Sequence, residues 1–182
     1  MHIRELRDEE MAEAVKLRIS CWPEEVGGLS NVELDYTKEY AFWMDWKNRA
    51  KENNDVRLLY GVFAQEKMLG VAFGSFVESK EDPQHGVELN GLWVYPKHRG
   101  KGVSLILLKR LLEDFSLLGA KKMIIYNYHS APSNQYYRKL GCVVVDNEVQ
   151  TKDRILVDIF SGDFRVMNLR IDQSINRSGS IM

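Results

Sequence analysis

The chain has 182 residues, 45% of them hydrophobic, which is enough for one domain with a substantial core. Its 25 basic and 26 acidic residues leave a formal net charge of −1, which argues against a polyanion partner such as nucleic acid. No apolar run approaches the ~20 residues that span a bilayer. Residues 1–6 lack the basic and apolar regions of a secretory leader, and Cys21, Cys142 and four scattered histidines form neither a metal spacing nor a disulfide framework. A cytoplasmic protein without a metal is expected.

In chain order, residues 2–6 alternate like a short strand. Arg7-Asp8-Glu9-Glu10 then opens a helix, with Asp8 as its N-cap and Met11, Ala14, Val15 and Ile19 as its apolar stripe. Cys21-Trp22-Pro23 is expected to stop it, because proline disfavours a helical residue before it. Gly27-Gly28 breaks the chain, and Ser30 with Glu33 forms a capping box for a second helix over residues 31–51. That helix carries Tyr36, Tyr40, Phe42, Trp43, Met44 and Trp46 over more than one face. Residues 56–64 and 68–77 read as a hairpin, 79–86 as a polar turn and 88–94 as a strand. A helix over 103–118 buries Val103, Ile106, Leu107, Leu111 and Phe115 and ends near Gly119, and a strand over 122–126 follows. Strand, crossover helix and strand make a βαβ unit with parallel strands. A short helix ending at Gly141, a strand over 143–146 and two last strands over 154–160 and 164–171 complete the domain. The polar residues after Asp172 read as a flexible tail.

Between the strand at 88–94 and its helix lies a basic, glycine-bearing turn. The first N–H groups of a helix have no partner inside it and carry partial positive charge, so this arrangement receives phosphate. Gly100 and Gly102 permit close backbone approach, and Arg99, Lys101 and Lys97 add charge. A Walker loop is excluded, because Gly102 follows Gly100-Lys101 where Ser or Thr is needed and Tyr95 replaces the earlier glycine. A dinucleotide fingerprint is excluded as well, because Leu105 stands at its third glycine. The stretch from Val94 to Ser104 resembles motif A of the GNAT N-acyltransferase superfamily, Val-x-Pro-x-x-Arg-Gly-x-Gly-x-Gly/Ala. Val94, Pro96, Arg99, Gly100 and Gly102 match in order, and Ser104 departs at the last place. Residues 130–142 resemble the superfamily's Asn-x-x-Ala-x-x-x-Tyr-x-Lys-x-Gly-Phe. Tyr137, Lys139, Leu140 and Gly141 match, while Ser130, Ser133 and Cys142 depart.

The resemblance implies an α/β (α+β) fold over residues 1–171, followed by the tail at 172–182. Its sheet would be GNAT-like, mixed and mostly antiparallel, with a splayed parallel strand pair and flanking helices. It implies acetyl-CoA as co-substrate, contacted by Leu92, Trp93, Val94, Arg99, Gly100, Lys101, Gly102, Val103, Ser104, Ser133 and Tyr137. The activity implied is transfer of an acetyl group to a primary amine by direct attack in a ternary complex, since neither cysteine is placed to form an acyl-enzyme. A different class, a non-catalytic acyl-CoA-binding or regulatory module, shares these motifs.

An alkyl amine has a pKa near 10, so a base assists its attack. The family's glutamate base corresponds to Glu88, with Glu81, Asp82 and His85 as nearby substitutes. Period-two alternation places Glu88, Asn90, Leu92 and Val94 on one face. The backbone N–H around Val94 is the implied carbonyl polariser, Tyr137 the acid for the leaving thiolate, and Tyr136 a packing neighbour. Trp22, Glu24, Glu25 and Asn90 are the acceptor-side candidates, for a small-molecule or peptide amine taken by a monomer or homodimer.

Overall fold

The computed structural model describes residues 1–26, 33–77, 81, 83–150 and 155–179. Seven strands lie in one sheet among these residues: β1 (His2–Glu5), β2 (Arg57–Ala64), β3 (Lys67–Phe76), β4 (Val87–Val94), β5 (Lys122–Tyr128), β6 (Val143–Gln150) and β7 (Ile155–Asp163). Their order is β1-β2-β3-β4-β5-β7-β6. Only β4 and β5 run parallel, joined by the crossover helix α3 (Val103–Leu117). This is the mixed, splayed sheet that the motifs implied.

Strands β2 and β3 are nearly continuous apolar runs because helices cover both faces of the sheet. On one face, α3 buries Leu107, Leu108, Leu111, Leu112 and Phe115 beside Met167 and Ile171 of α5 (Phe164–Gly179). Each such side chain contributes about 1.5–3 kcal/mol when removed from water. On the other face, Met11, Ala14 and Leu17 of α1 (Met11–Val26) and Trp43 of α2 (Tyr36–Asn48) pack on Val71, Phe73 and Trp93. No helix among the described residues is long and apolar enough to cross a membrane.

Four expectations are corrected. Helix α1 does not stop at Cys21-Trp22-Pro23 but runs through Pro23 to Val26. Tertiary contacts override the proline: Trp22 sets its edge on Tyr128, and Glu25 bonds Trp93 across the layer. The helix entry is capped by Glu10 and not by Asp8. Glu10 accepts from the Arg7 N–H at 2.9 Å and from the Arg4 guanidinium at 2.7 Å on each oxygen. Helix α2 takes Asp35 as N-cap, with Lys38 N–H donating to Asp35 Oδ1 at 2.9 Å. The expected cap Ser30 and the Gly27-Gly28 break lie outside the described residues.

The last correction is the largest. Residues 164–171 are helix, not strand, and β7 is one strand from Ile155 to Asp163. Asp163 Oδ1 accepts from the N–H groups of Arg165 and Val166, which caps a helix. Phe164, Met167 and Ile171 then fall buried on one helical face. Residues 172–179, read as a tail, continue this helix, and Lys109 Nζ reaches Asp172 Oδ1 at 2.6 Å. Residues 180–182 are outside the described part.

Candidate active site

Strand β4 changes face part-way along. Its register with β3 slips between Phe73 and Gly74, which pair with Gly91 and Leu89 and leave Asn90 over. Before this bulge Val87 and Leu89 pack toward α3, and after it Leu92 and Val94 do, while Trp93 turns to the α1 side. The common face expected for Glu88, Asn90, Leu92 and Val94 is therefore corrected, because one extra residue reverses the alternation. Glu88 lies on the face opposite to Leu92 and Val94.

Strands β4 and β5 then part. Val87 pairs with Met123 and Glu88 with Ile124, and the ladder ends there. Residues 89–94 and 125–128 line the gap that opens, a cavity of about 660 Å³. Tyr95 N–H donates to Leu69 O at 3.1 Å, which fixes the hydrogen-bond phase of β4. In that phase Trp93 turns its N–H to β3, and Leu92 and Val94 turn theirs into the gap.

At the wide end of the gap sits the glycine turn. Gly100 has φ +71° and Gly102 φ +80°, conformations that favour glycine, and a Cβ at either would meet no atom within 4 Å. Gly102 begins α3 without a side-chain cap. The first amides of a 15-residue helix thus face open space, a cradle fit for an anion. Arg99 does not lend its charge to this cradle. Its guanidinium folds back, with Nε donating to Val94 O at 3.1 Å, Nη1 paired with Glu24 and Nη2 on Cys21 Sγ at 3.5 Å. Lys101 is exposed and is not part of the cavity wall.

Opposite β4 stands the helix α4 (Asn134–Lys139). Asn127 Nδ2 donates to Ser133 Oγ at 2.8 Å and to Asn134 Oδ1 at 2.6 Å, and Asn134 Nδ2 donates to the carbonyls of Tyr128 and His129. This network ties α4 to the end of β5, and neither asparagine was signalled by the second motif. Tyr137 lines the cavity and is 8% exposed, with its ring against Phe160. Its hydroxyl has no hydrogen-bond partner among the described residues. Burial, helped by Tyr136, Glu25 and Cys142, pushes its pKa far up, so it holds its proton. Tyr136, expected only to pack, donates to Ser104 Oγ at 2.9 Å at the start of α3, and burial pushes its pKa up to about 12.

The wall on the α1 side, level with the C-terminal ends of β4 and β5, is built by one stripe of that helix. Arg18, Cys21, Trp22 and Glu25 follow i, i+3, i+4, i+7 and all line the cavity. Glu25 Oε1 accepts from Trp93 Nε1 at 2.8 Å. Burial raises its pKa, against the opposing pull of Arg18, the Trp93 bond and Arg99. Arg18 sits 5.2–5.6 Å from the rings of Trp22, Trp43 and Trp93 and donates to Glu39 Oε2 at 2.6 Å. Asn90 lines the cavity and accepts from Ser75 Oγ at 3.0 Å. Glu88 is half-buried, with its pKa raised by burial and eased by Asn90, and it is not among the lining residues. Neither Glu81 nor His85 lines the cavity, and Asp82 is outside the described residues. No group of three His, Cys, Asp or Glu side chains among the described residues could hold a metal.

The model of the Acetyltransferase (GNAT) family matches residues 11–142, most of the chain. The chain belongs to that family. The family match spans α1 through the second motif and includes the splay and the glycine turn. Solved structures agree in fold with this GNAT chain. A paiA N-acetyltransferase from Thermoplasma acidophilum, in complex with coenzyme A, superposes with TM-score 0.64 at 18% identity over 89% of this chain and 98% of its own. A ribosomal-protein-alanine N-acetyltransferase from Brucella melitensis gives 0.67 at 16% over 90% and 99%. A point mutant of spermidine N-acetyltransferase SpeG from Vibrio cholerae gives 0.65 at 16% over 93% and 99%. No curated protein matches the GNAT chain.

Proposed function

We propose that this GNAT protein transfers the acetyl group of acetyl-CoA to a primary amine, by direct attack while both substrates are bound. The observation that carries this reading is the continuity of one cavity. It runs from the uncapped start of α3, along the unpaired edge of β4, to the Glu25 carboxylate and the Trp22 indole on α1. The Thermoplasma acidophilum neighbour, solved in complex with coenzyme A, supports coenzyme A as a ligand of this fold.

The amides of residues 102–104 would hold the pyrophosphate, with the bare Gly100 and Gly102 leaving room for it. Leu92, Trp93, Val94, Val103 and Ser133 would flank the acyl-bearing arm. Amides of Leu92 and Val94 face the gap and are fixed by the strand, so they stabilise charge on the thioester oxygen without reorganising. Tyr137, protonated and without a partner among the described residues, donates its proton to the departing sulfur. Trp22, Asn90 and Glu25 form the acceptor wall, where an aromatic face and a carboxylate suit an ammonium group.

Thiol release from acetyl-CoA, followed with spermidine, tyramine, lysine and a peptide bearing N-terminal alanine, tests this reading. Acetylated product by mass spectrometry is the expected result. Tight acetyl-CoA binding with no product from any amine would favour a non-catalytic acyl-CoA module.

A further inference from the structure

Two carboxylates stand near the reacting end of the cavity, and the structure separates them. Resting on the transferase reading above, we propose that Glu25, not Glu88, receives the ammonium group of the acceptor and takes its proton before attack.

Glu88 occupies the last position where β4 and β5 are still paired, opposite Ile124. The cavity begins one residue later, at Leu89. Glu25 lies inside it, on the wall facing Tyr137. Its Oε1 is held by Trp93 Nε1, and its Oε2 has no partner among the described residues. The indole that holds it is itself fixed edge-on against Trp43 and Phe73, with ring centroids 5.7 Å and 5.3 Å away. A carboxylate with one oxygen anchored and one open is oriented for a single proton transfer. Glu24, the adjacent acid, is 58% exposed and paired with Arg99, so it does not share this role.

The charged and titratable groups around Glu25 are Arg18, Cys21 and Glu24 on its own helix, Arg99 from the turn, and Tyr137 of α4. Both arginines have partners of their own, Glu39 and Glu24. Burial outweighs their pull and brings the proton affinity of Glu25 nearer to that of an amine, which favours proton transfer.

The step balances as follows. The ammonium gives one proton to Glu25 Oε2, and the freed lone pair forms the C–N bond at the thioester carbon. The C–S bond breaks, and the sulfur leaves with its electron pair and takes the Tyr137 proton. The second proton on the new amide nitrogen restores Tyr137, and Glu25 releases its proton to water.

Propylamine and 2,2,2-trifluoroethylamine test the assignment, because the fluorines leave the second amine neutral near pH 7. With propylamine, Glu25→Gln should lower kcat/KM about 10²-fold or more near neutral pH, in the range of general base catalysis, and should move the acid-side fall of the pH profile up to the pKa of the amine itself, near 10. With trifluoroethylamine the loss should be much smaller. Glu25→Asp should retain the acid-side fall at reduced rate, and Glu88→Gln should leave the profile in place. Calorimetry with acetyl-CoA checks that each variant keeps the cofactor end. Full activity of Glu25→Gln on propylamine, equal loss on both amines, or an acid limb that moves with Glu88→Gln would each overturn the proposal alone. A wild-type protein that acetylates neither amine would overturn it together with the transferase reading.

Discussion

Trp93 Nε1 donates to Glu25 Oε1 across 68 residues of sequence, at 2.8 Å. The bond joins the strand that forms the cavity floor to a helix that continues past a proline. The indole reaches that position only because residue 91 is glycine, since a Cβ there would collide with the Trp93 ring.

Gly91→Ala should therefore displace the indole from Glu25. Overpacking of this kind costs about 1–3 kcal/mol. A lowered Tm and altered tryptophan fluorescence are expected, with acetyl-CoA affinity largely kept because the glycine turn is untouched. An unchanged Tm would show that the ring adapts in place.

Gly102→Ala places a Cβ on a backbone at φ +80°. The left-handed conformation costs a non-glycine residue about 1–2 kcal/mol, so a fall in Tm should accompany weaker acetyl-CoA binding. A valine here would not leave the fold undisturbed, and alanine is the more informative change. Calorimetry showing undiminished affinity would remove the cradle from the phosphate site.

Tyr137→Phe removes a hydroxyl that has no hydrogen bond among the described residues, so stability should change little. If it is the acid for the thiolate, kcat should fall by about 10–10³-fold, the lower range of general acid catalysis. Single-turnover measurement separates that loss from product release. Full kcat with chemistry limiting would end the assignment.

Tyr136→Phe is not a silent control, because its hydroxyl donates to Ser104 Oγ. Loss of one such bond costs about 0.5–1.5 kcal/mol, and the KM for acetyl-CoA should rise while kcat holds. Ser104→Ala should give the same effect, and the double variant should add almost nothing further.

Glu10 is held well below the usual carboxylate range, chiefly by the Arg4 guanidinium and then by Arg7. A carboxylate with a depressed folded pKa stabilises the fold above its unfolded pKa, and that contribution fades as pH falls toward the folded value. Glu10→Gln should thus lower stability near neutral pH by about 0.5–1 kcal/mol, the size of a solvent-screened ion pair. The deficit should shrink below about pH 4, the unfolded range of a glutamate, as denaturant melts at several pH values would show.

The glycine turn could be read in the sequence because its requirements are local: two glycines, a proline and a helix start. The sheet and its parallel pair followed from the same local order of elements. The continuation of α1 through Pro23 could not be read, since it depends on Trp22 and Glu25 meeting partners on β4 and β5. The reversal at Asn90 is a property of register between β3 and β4, and alternation along one strand is blind to it. Residues 164–171 fit a strand by composition, and Asp163 as a cap was the overlooked sign of a helix. For the site, Glu24 and Glu25 looked equivalent as neighbours, and both line the cavity, but only their partners separate them: Glu24 is exposed and paired with Arg99, while Glu25 is held by Trp93.

The parting of β4 from β5 gives the protein a strand edge in its interior. An exposed edge is usually blunted against other chains, but this one faces a cavity, where a bound ligand with amide groups can complete the ladder. Along β4 the amides should then alternate in hydrogen exchange. Trp93 and Tyr95, turned to β3, should be slow, and Leu92 and Val94, turned to the gap, fast. Any molecule that seats itself along the strand should slow the second pair alone, and so report its own arrival at the site before its acceptor chemistry is known.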